Sequence, residues 1–129
     1  MSYTHILVAI DLSPSSQAVI DKAVALAKSD KCKLSFVYVE ADSVVLAPKE
    51  QQSLENDLKE LAGKIDYPVT EFLAVVGDLH VKLSGLVKEM GVDLVVCGHH
   101  HKLLSRLFSS VPKVANAVDA DLLVVYLDE

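Results

Sequence analysis

Five short apolar runs alternate along the chain with stretches in which apolar residues recur every three or four positions. The runs are His5-Ile6-Leu7-Val8-Ala9-Ile10, Lys33-Leu34-Ser35-Phe36-Val37-Tyr38-Val39, Val69 to Val76, Asp93-Leu94-Val95-Val96-Cys97 and Asp121 to Leu127. Each has the length of a strand, and the first is continuously apolar, as a strand buried on both faces must be. Between them, Val19, Ile20, Ala23, Val24 and Ala27 predict a helix over about 14–29, with Ser13 as its N-cap and Pro14 at its first helical position. Leu54, Leu58, Leu61 and Ile65 form one stripe on a second helix that is polar elsewhere. Leu79, Leu83, Leu86, Val87 and Met90 define a third, which Gly91 stops as a C′ residue. Glu40 to Lys49 is a connection punctuated by Pro48, and Asp66-Tyr67-Pro68 is a turn. Leu104, Leu107, Phe108, Val111, Val114, Ala115 and Val118 keep a helical rhythm that Ser109-Ser110 and Pro112 interrupt. The spacing predicts a helical turn near 103–108 and a helix over about 110–117, with the proline in its first turn.

Strand and helix alternating to a final strand imply an α/β fold: an open, doubly wound parallel sheet with helices on both faces, linked by right-handed crossovers. The 129 residues suit one domain, with no linker or second core. In such sheets ligands sit outside the carboxyl ends of the strands. The residues after strands 1 and 4 are therefore where a site is expected.

Composition narrows the function. With 51% hydrophobic residues the chain is not a disordered one. The absence of Trp leaves a core of Val, Leu, Ile and Ala. A net charge of -6, without any basic stripe, argues against nucleic acid as a partner. No apolar run approaches the roughly 18 residues of a membrane span, and the first residues lead straight into a strand without a leader pattern. A cytoplasmic protein with no membrane partner is the expectation. Cys32 and Cys97 do not make a disulfide framework, and Cys97, inside an apolar strand, is expected to behave as a small buried hydrophobe.

The candidate chemistry lies at the strand ends. Asp11 follows strand 1, where its carboxylate could accept hydrogen bonds from a ligand or cap the start of helix 1. Gly98 follows strand 4, where a missing Cβ allows either a tight turn or the approach of a phosphate. Ser109 and Ser110 precede a helix, so they either cap it or help receive an anion. His99, His100 and His101, with Cys97 nearby, invite a metal reading. Three adjacent histidines on a turn diverge, however, and His5 and His80 are remote in sequence, so no metal site is expected. An exposed loop meeting anions or carboxylates is the more ordinary role for the histidines. There is no Gly-x-Ser-x-Gly elbow, Walker A motif or Gly-x-Gly-x-x-Gly after strand 1, and an enzyme is not indicated.

Several of these segments together resemble the universal stress protein family. They are His5 to Ser13, Asp66-Tyr67-Pro68, Gly77-Asp78-Leu79, Asp93 to His100 and Ser105 to Ser110. The likeness spans nearly the whole chain and is weakest between Glu40 and Gln52, where this chain is shorter. The resemblance implies a Rossmann-like three-layer sandwich with a five-stranded sheet in order 3-2-1-4-5. It also implies a homodimer through the last strand, Leu122 to Leu127, and an apolar edge without Pro or Lys agrees with such pairing.

In the members that bind ATP, a glycine, two residues, a second glycine, nine residues and a third glycine precede Ser or Thr. Here the first is Gly98, His101 stands at the second, the segment from Lys102 to Phe108 is two residues short, Ser109 stands at the third, and Ser110 keeps the final hydroxyl. Side chains at 101 and 109 occupy or restrict backbone that would approach phosphate. The resemblance thus points to the branch that does not bind ATP. Asp11 and Val39 still match positions that meet the nucleoside, leaving Asp11, Val39, Gly98, His101, Ser109 and Ser110 as a candidate vestigial nucleotide site.

The expected function is that of a dimeric stress-response protein acting through contacts with partner proteins the sequence does not name, without a cofactor. The competing reading is an adenine-nucleotide sensor, holding ATP or AMP with Asp11, Val39, Gly98 and the Ser109-Ser110 helix start. A hydrolase or metal-dependent enzyme ranks last.

Overall fold

The computed structural model describes residues 2–40, 45–100 and 106–127, with backbone alone at 99–100 and 106–111. Strands and helices alternate: β1 (His5–Ala9), α1 (Ser16–Asp30), β2 (Lys33–Glu40), α2 (Pro48–Ala62), β3 (Glu71–Val76), α3 (Leu79–Met90), β4 (Leu94–His100), α4 (Arg106–Ala117) and β5 (Asp121–Leu127). The strands form one sheet in the order β3-β2-β1-β4-β5, every neighbouring pair parallel, as expected.

Alternation along β1 divides the core. Ile6, Val8 and Ile10 face Val19, Ile20, Ala23 and Ala27 of α1 and Leu58 of α2. Leu7 and Ala9 face the other way, toward Leu79, Leu83 and Val87 of α3 and Val114 of α4. The winding explains the division. From β1 the chain moves outward to β3, then returns past β1 to β4. A crossover of constant hand running in the reverse direction must pass over the opposite face. β1 and β4 are therefore neighbours whose following segments diverge, and a crevice opens between their carboxyl ends.

Several element boundaries differ from expectation. Helix α1 starts at Ser16, not 14, and Ser15 makes no side-chain cap. Residues 13–16 instead form a turn closed by Ser16 N–H to Ser13 O (3.0 Å), with Pro14 at its second position, where the fixed φ of proline belongs. Pro48, read as punctuation, is the first residue of α2, where its missing N–H costs nothing. Ile65 lies beyond the end of α2 and still packs against the core. Helix α4 is continuous from Arg106 through Pro112 to Ala117, so the expected break at Ser109-Ser110 is absent and Pro112 removes one ladder bond. The expected turn near 103–108 lies partly outside the described residues. Gly91 ends α3 as expected, with φ 68° and its N–H on Val87 O. No helix among the described residues is long and apolar enough to cross a membrane.

The amino edge of the sheet is held by carboxylates. Asp93, just before β4, accepts from Thr4 N–H (2.9 Å), His5 N–H (3.0 Å) and the Thr4 hydroxyl (3.1 Å). Asp30 accepts from Tyr3 N–H and Asp121 from the Tyr3 hydroxyl. Inside this edge, His5 Nδ1 lies 3.2 Å from Met90 O and Nε2 2.8 Å from Ser35 Oγ. A carbonyl only accepts, so Nδ1 carries the proton, and in the neutral ring Nε2 accepts from the buried Ser35 hydroxyl.

Desolvation pushes the Asp93 carboxyl up, but hydrogen bonds from His5, Thr4 N–H and the Thr4 hydroxyl together outweigh it and hold the group below the ordinary 3.8. A depressed folded value means that this contribution to stability is complete above pH 3.8 and is lost as pH falls through the folded value. Acid titration followed by circular dichroism should show Asp93→Asn to be less stable than the native chain at neutral pH, with the difference shrinking at the acid end. A constant difference at all pH values would remove Asp93 from this role.

Candidate functional site

At the carboxyl edge, β1 ends at Ala9 and Asp11 begins the turn into α1. Asp11 Oδ1 accepts from Ser13 N–H (3.0 Å), Ser13 Oγ (2.7 Å) and Ser16 Oγ (2.9 Å). The carboxylate thus organises the start of α1 through the turn. Between Asp11 and Ser13, Leu12 is held at φ 62°, a left-handed conformation that costs an ordinary side chain about 1–2 kcal/mol. Hydrogen bonds on both sides and packing of the Leu12 side chain against the α1-side core hold it there.

Gly98 does not follow β4. The strand continues through it to His100, and Gly98 pairs with Val125 of β5 without adopting positive φ. A tight turn is therefore not what the glycine serves. A Cβ at this position would lie 2.7 Å from Leu127 Cδ1 and 3.0 Å from Val19 Cγ2. The missing side chain leaves a hollow that β5 and α1 fill. Among the described residues, Ala9, Asp11, Ser16, Val19, Gly98 and Leu127 line the space between the ends of β1 and β4, and no volume for a water molecule remains between them.

The other sequence candidates are spread more widely. Val39 is level with this edge but packs on the opposite face, with the α3–α4 cluster. His101 lies outside the described residues. His99 and His100 are the last backbone positions of β4, paired with Tyr126 and Leu127. Ser109 and Ser110 lie inside α4, not at its start. The uncommitted N–H groups of a helix belong to its first turn, and the ladder begins after it.

Cys97 faces the α3–α4 side and is fully buried, and burial pushes its thiol up to about 11. It packs as the hydrophobe its strand implies, and both cysteines are free. His5 stands at the far edge of the sheet from His99, and no metal-binding group of His, Cys, Asp or Glu occurs among the described residues. Sequence reasoning missed Leu127 and Val19 as parts of this place. Their spacing marks them only as core, and nothing local shows that they meet over Gly98.

Gly98→Ala should destabilise the fold by about 1–3 kcal/mol, because its methyl must displace Leu127 and Val19. Thermal or urea unfolding measures this. A loss within about 0.5 kcal/mol would mean that the hollow accepts a side chain.

The chain can now be set beside known proteins. The profile of the universal stress protein family matches residues 2–126. Universal stress protein A of Photorhabdus laumondii is 40% identical over 139 aligned positions, covering 98% of this chain and 97% of that one. The universal stress protein UspA from Lactobacillus plantarum superposes with a TM-score of 0.77 at 20% identity, over 97% of this chain and 99% of that one. A universal stress protein solved in complex with cAMP gives 0.75 at 24%, over 99% and 100%. The structural likenesses carry the fold. The profile match and the 40% identity carry the family, and on them this chain belongs to the universal stress protein family.

Proposed function

We propose that this protein is a cytoplasmic, dimeric stress-response protein that works through contacts with other proteins and not through tight ATP binding or catalysis. The observation that carries the reading is the filled crevice. At the place where a doubly wound sheet receives its ligand, the chain puts Leu127 and Val19 against the bare face of Gly98. Asp11 adds to it, since one of its oxygens already serves three protein donors. The departures at His101 and Ser109 from the ATP-binding pattern point the same way.

The dimer rests on β5. This strand ends the sheet and runs seven residues without Lys or Pro, with Tyr126 63% exposed. A long apolar edge of this kind invites pairing with another chain. A second copy, paired through Leu122 to Leu127, is the partner we assign to it.

The alternative is an adenine-nucleotide sensor. It is favoured by the structural neighbour solved with cAMP and by the retained Asp11, Val39 and Gly98.

Calorimetry with ATP, ADP and AMP separates the two. The expected outcome is no dissociation constant tighter than about 10 μM. A tighter value, lost in Asp11→Ala, would establish the sensor. Light scattering should give twice the 14.0 kDa chain mass for the native protein, and Val124→Lys combined with Tyr126→Lys should move it toward one chain. An unchanged dimer in that variant would place the interface elsewhere.

A further inference from the structure

On the α1 side of the sheet, α2 lies over β2 and β3, while β5, at the far side, is met by α1. Between α1 and β5, near the amino ends of the strands, lies an open groove of about 460 Å³ lined by Tyr3, Leu26, Leu94, Asp121, Leu122 and Leu123. Leu26 and Leu123 are only half-buried, so they offer apolar surface to whatever enters. The groove is at the other end of β4 from Gly98 and shares no residue with the space that Leu127 and Val19 fill.

The rim of this groove is acidic. Asp121 Oδ2 accepts from the Tyr3 hydroxyl (2.8 Å) and Asp30 Oδ2 from Tyr3 N–H (2.7 Å). The other oxygen of each has no hydrogen-bond donor among the described residues. Asp93 stands nearby on Thr4 and His5. The Tyr3 hydroxyl registers all three carboxylates: its bond to Asp121, then burial, then the charges of Asp121, Asp93 and Asp30 hold it above the ordinary 10.0. Among the described residues no Lys, Arg or His forms an ion pair with these carboxylates, and Lys28 pairs with Asp66 instead.

We propose, on the reading that this protein works through contacts with other proteins, that the groove docks a partner segment carrying Lys or Arg beside leucine-like side chains. The apolar walls take such side chains out of water, and a cation reaching Asp121 and Asp30 meets oxygens that still have lone pairs to give. Exposed pairs of this kind add little affinity but select: the rim attracts a basic segment and repels an acidic one. A second copy of this chain is a poor occupant. It carries the same rim and a net charge of -6, so a two-fold contact centred here sets carboxylate against carboxylate.

The test is fluorescence anisotropy with a labelled peptide of about ten residues alternating Leu and Arg, and a counterpart alternating Leu and Glu, long enough to span a groove of this size. The Arg peptide should bind and the Glu peptide should not. Leu26→Ala and Asp121→Asn, on samples with native circular dichroism, should each weaken the Arg peptide by at least about fivefold. Asp57→Asn, which removes an exposed carboxylate on α2, should leave it unchanged. Added salt should shrink the effect of Asp121→Asn more than that of Leu26→Ala. If Leu26→Ala does not fold, Asp121→Asn compared with Asp57→Asn still decides. No binding of the Arg peptide, or equal weakening by Asp57→Asn, overturns the groove and leaves the lack of tight ATP binding standing. A changed solution mass in Leu26→Ala would seat a second copy there and also overturn it. Tight ATP binding by the native chain overturns the proposed function, and the ratio of variant to native peptide affinity still judges the groove.

Discussion

The fold depends on β1 being satisfied on every side at once. It is hydrogen-bonded to β2 on one edge and β4 on the other, and its side chains are buried on both faces. A strand so placed admits no polar side chain without a partner, and the one it carries, His5, has two. The same strand is where the winding reverses. It therefore fixes which helices lie on which face and where the chain can open a crevice.

The two ends of β1 are treated in opposite ways. At the amino end polar groups converge: Asp30 at the end of α1, Asp93 just before β4 and Asp121 at the start of β5 all reach residues 3–5. Hydrogen bonds to charged acceptors are the stronger kind, and a carboxylate receiving two backbone N–H groups replaces ladder bonds that a strand end lacks. At the carboxyl end, where the fold leaves its natural binding crevice, the filling is apolar. The carboxylate of Asp11 is turned to holding the start of α1 and the strained Leu12. Among the described residues at this edge, Leu127 and Val19 pack against the bare face of Gly98.

Much of this was legible in advance, for a plain reason. Short continuous apolar runs and apolar spacing of 3.6 residues both report burial directly, so strands β1, β2 and β5 and the core faces of α1 and α3 could be read locally. Gly91 could be read as a helix stop because left-handed backbone favours glycine locally. What misled was local chemistry with more than one outlet. Ser13-Pro14 suits either a helix start or a turn, and Asp11 decided for the turn by accepting from both Ser13 and Ser16. Ser109-Ser110 reads as a break between a turn and a helix, yet one helix runs through it.

By itself the sequence determined the α/β class, the order of elements, the aliphatic core and, through the segments around Asp11 and Gly98, the family. Each of these follows from residues close together in the chain. What Gly98 is for was decided only in three dimensions. A glycine after four apolar strand residues is compatible with a turn, a phosphate loop or a packing hollow, and these differ in what arrives from elsewhere. Leu127 and Val19 arrive from β5 and α1, brought there by strand order and crossover hand. Spacing along the chain records which face a side chain takes, but not which remote side chain meets it there.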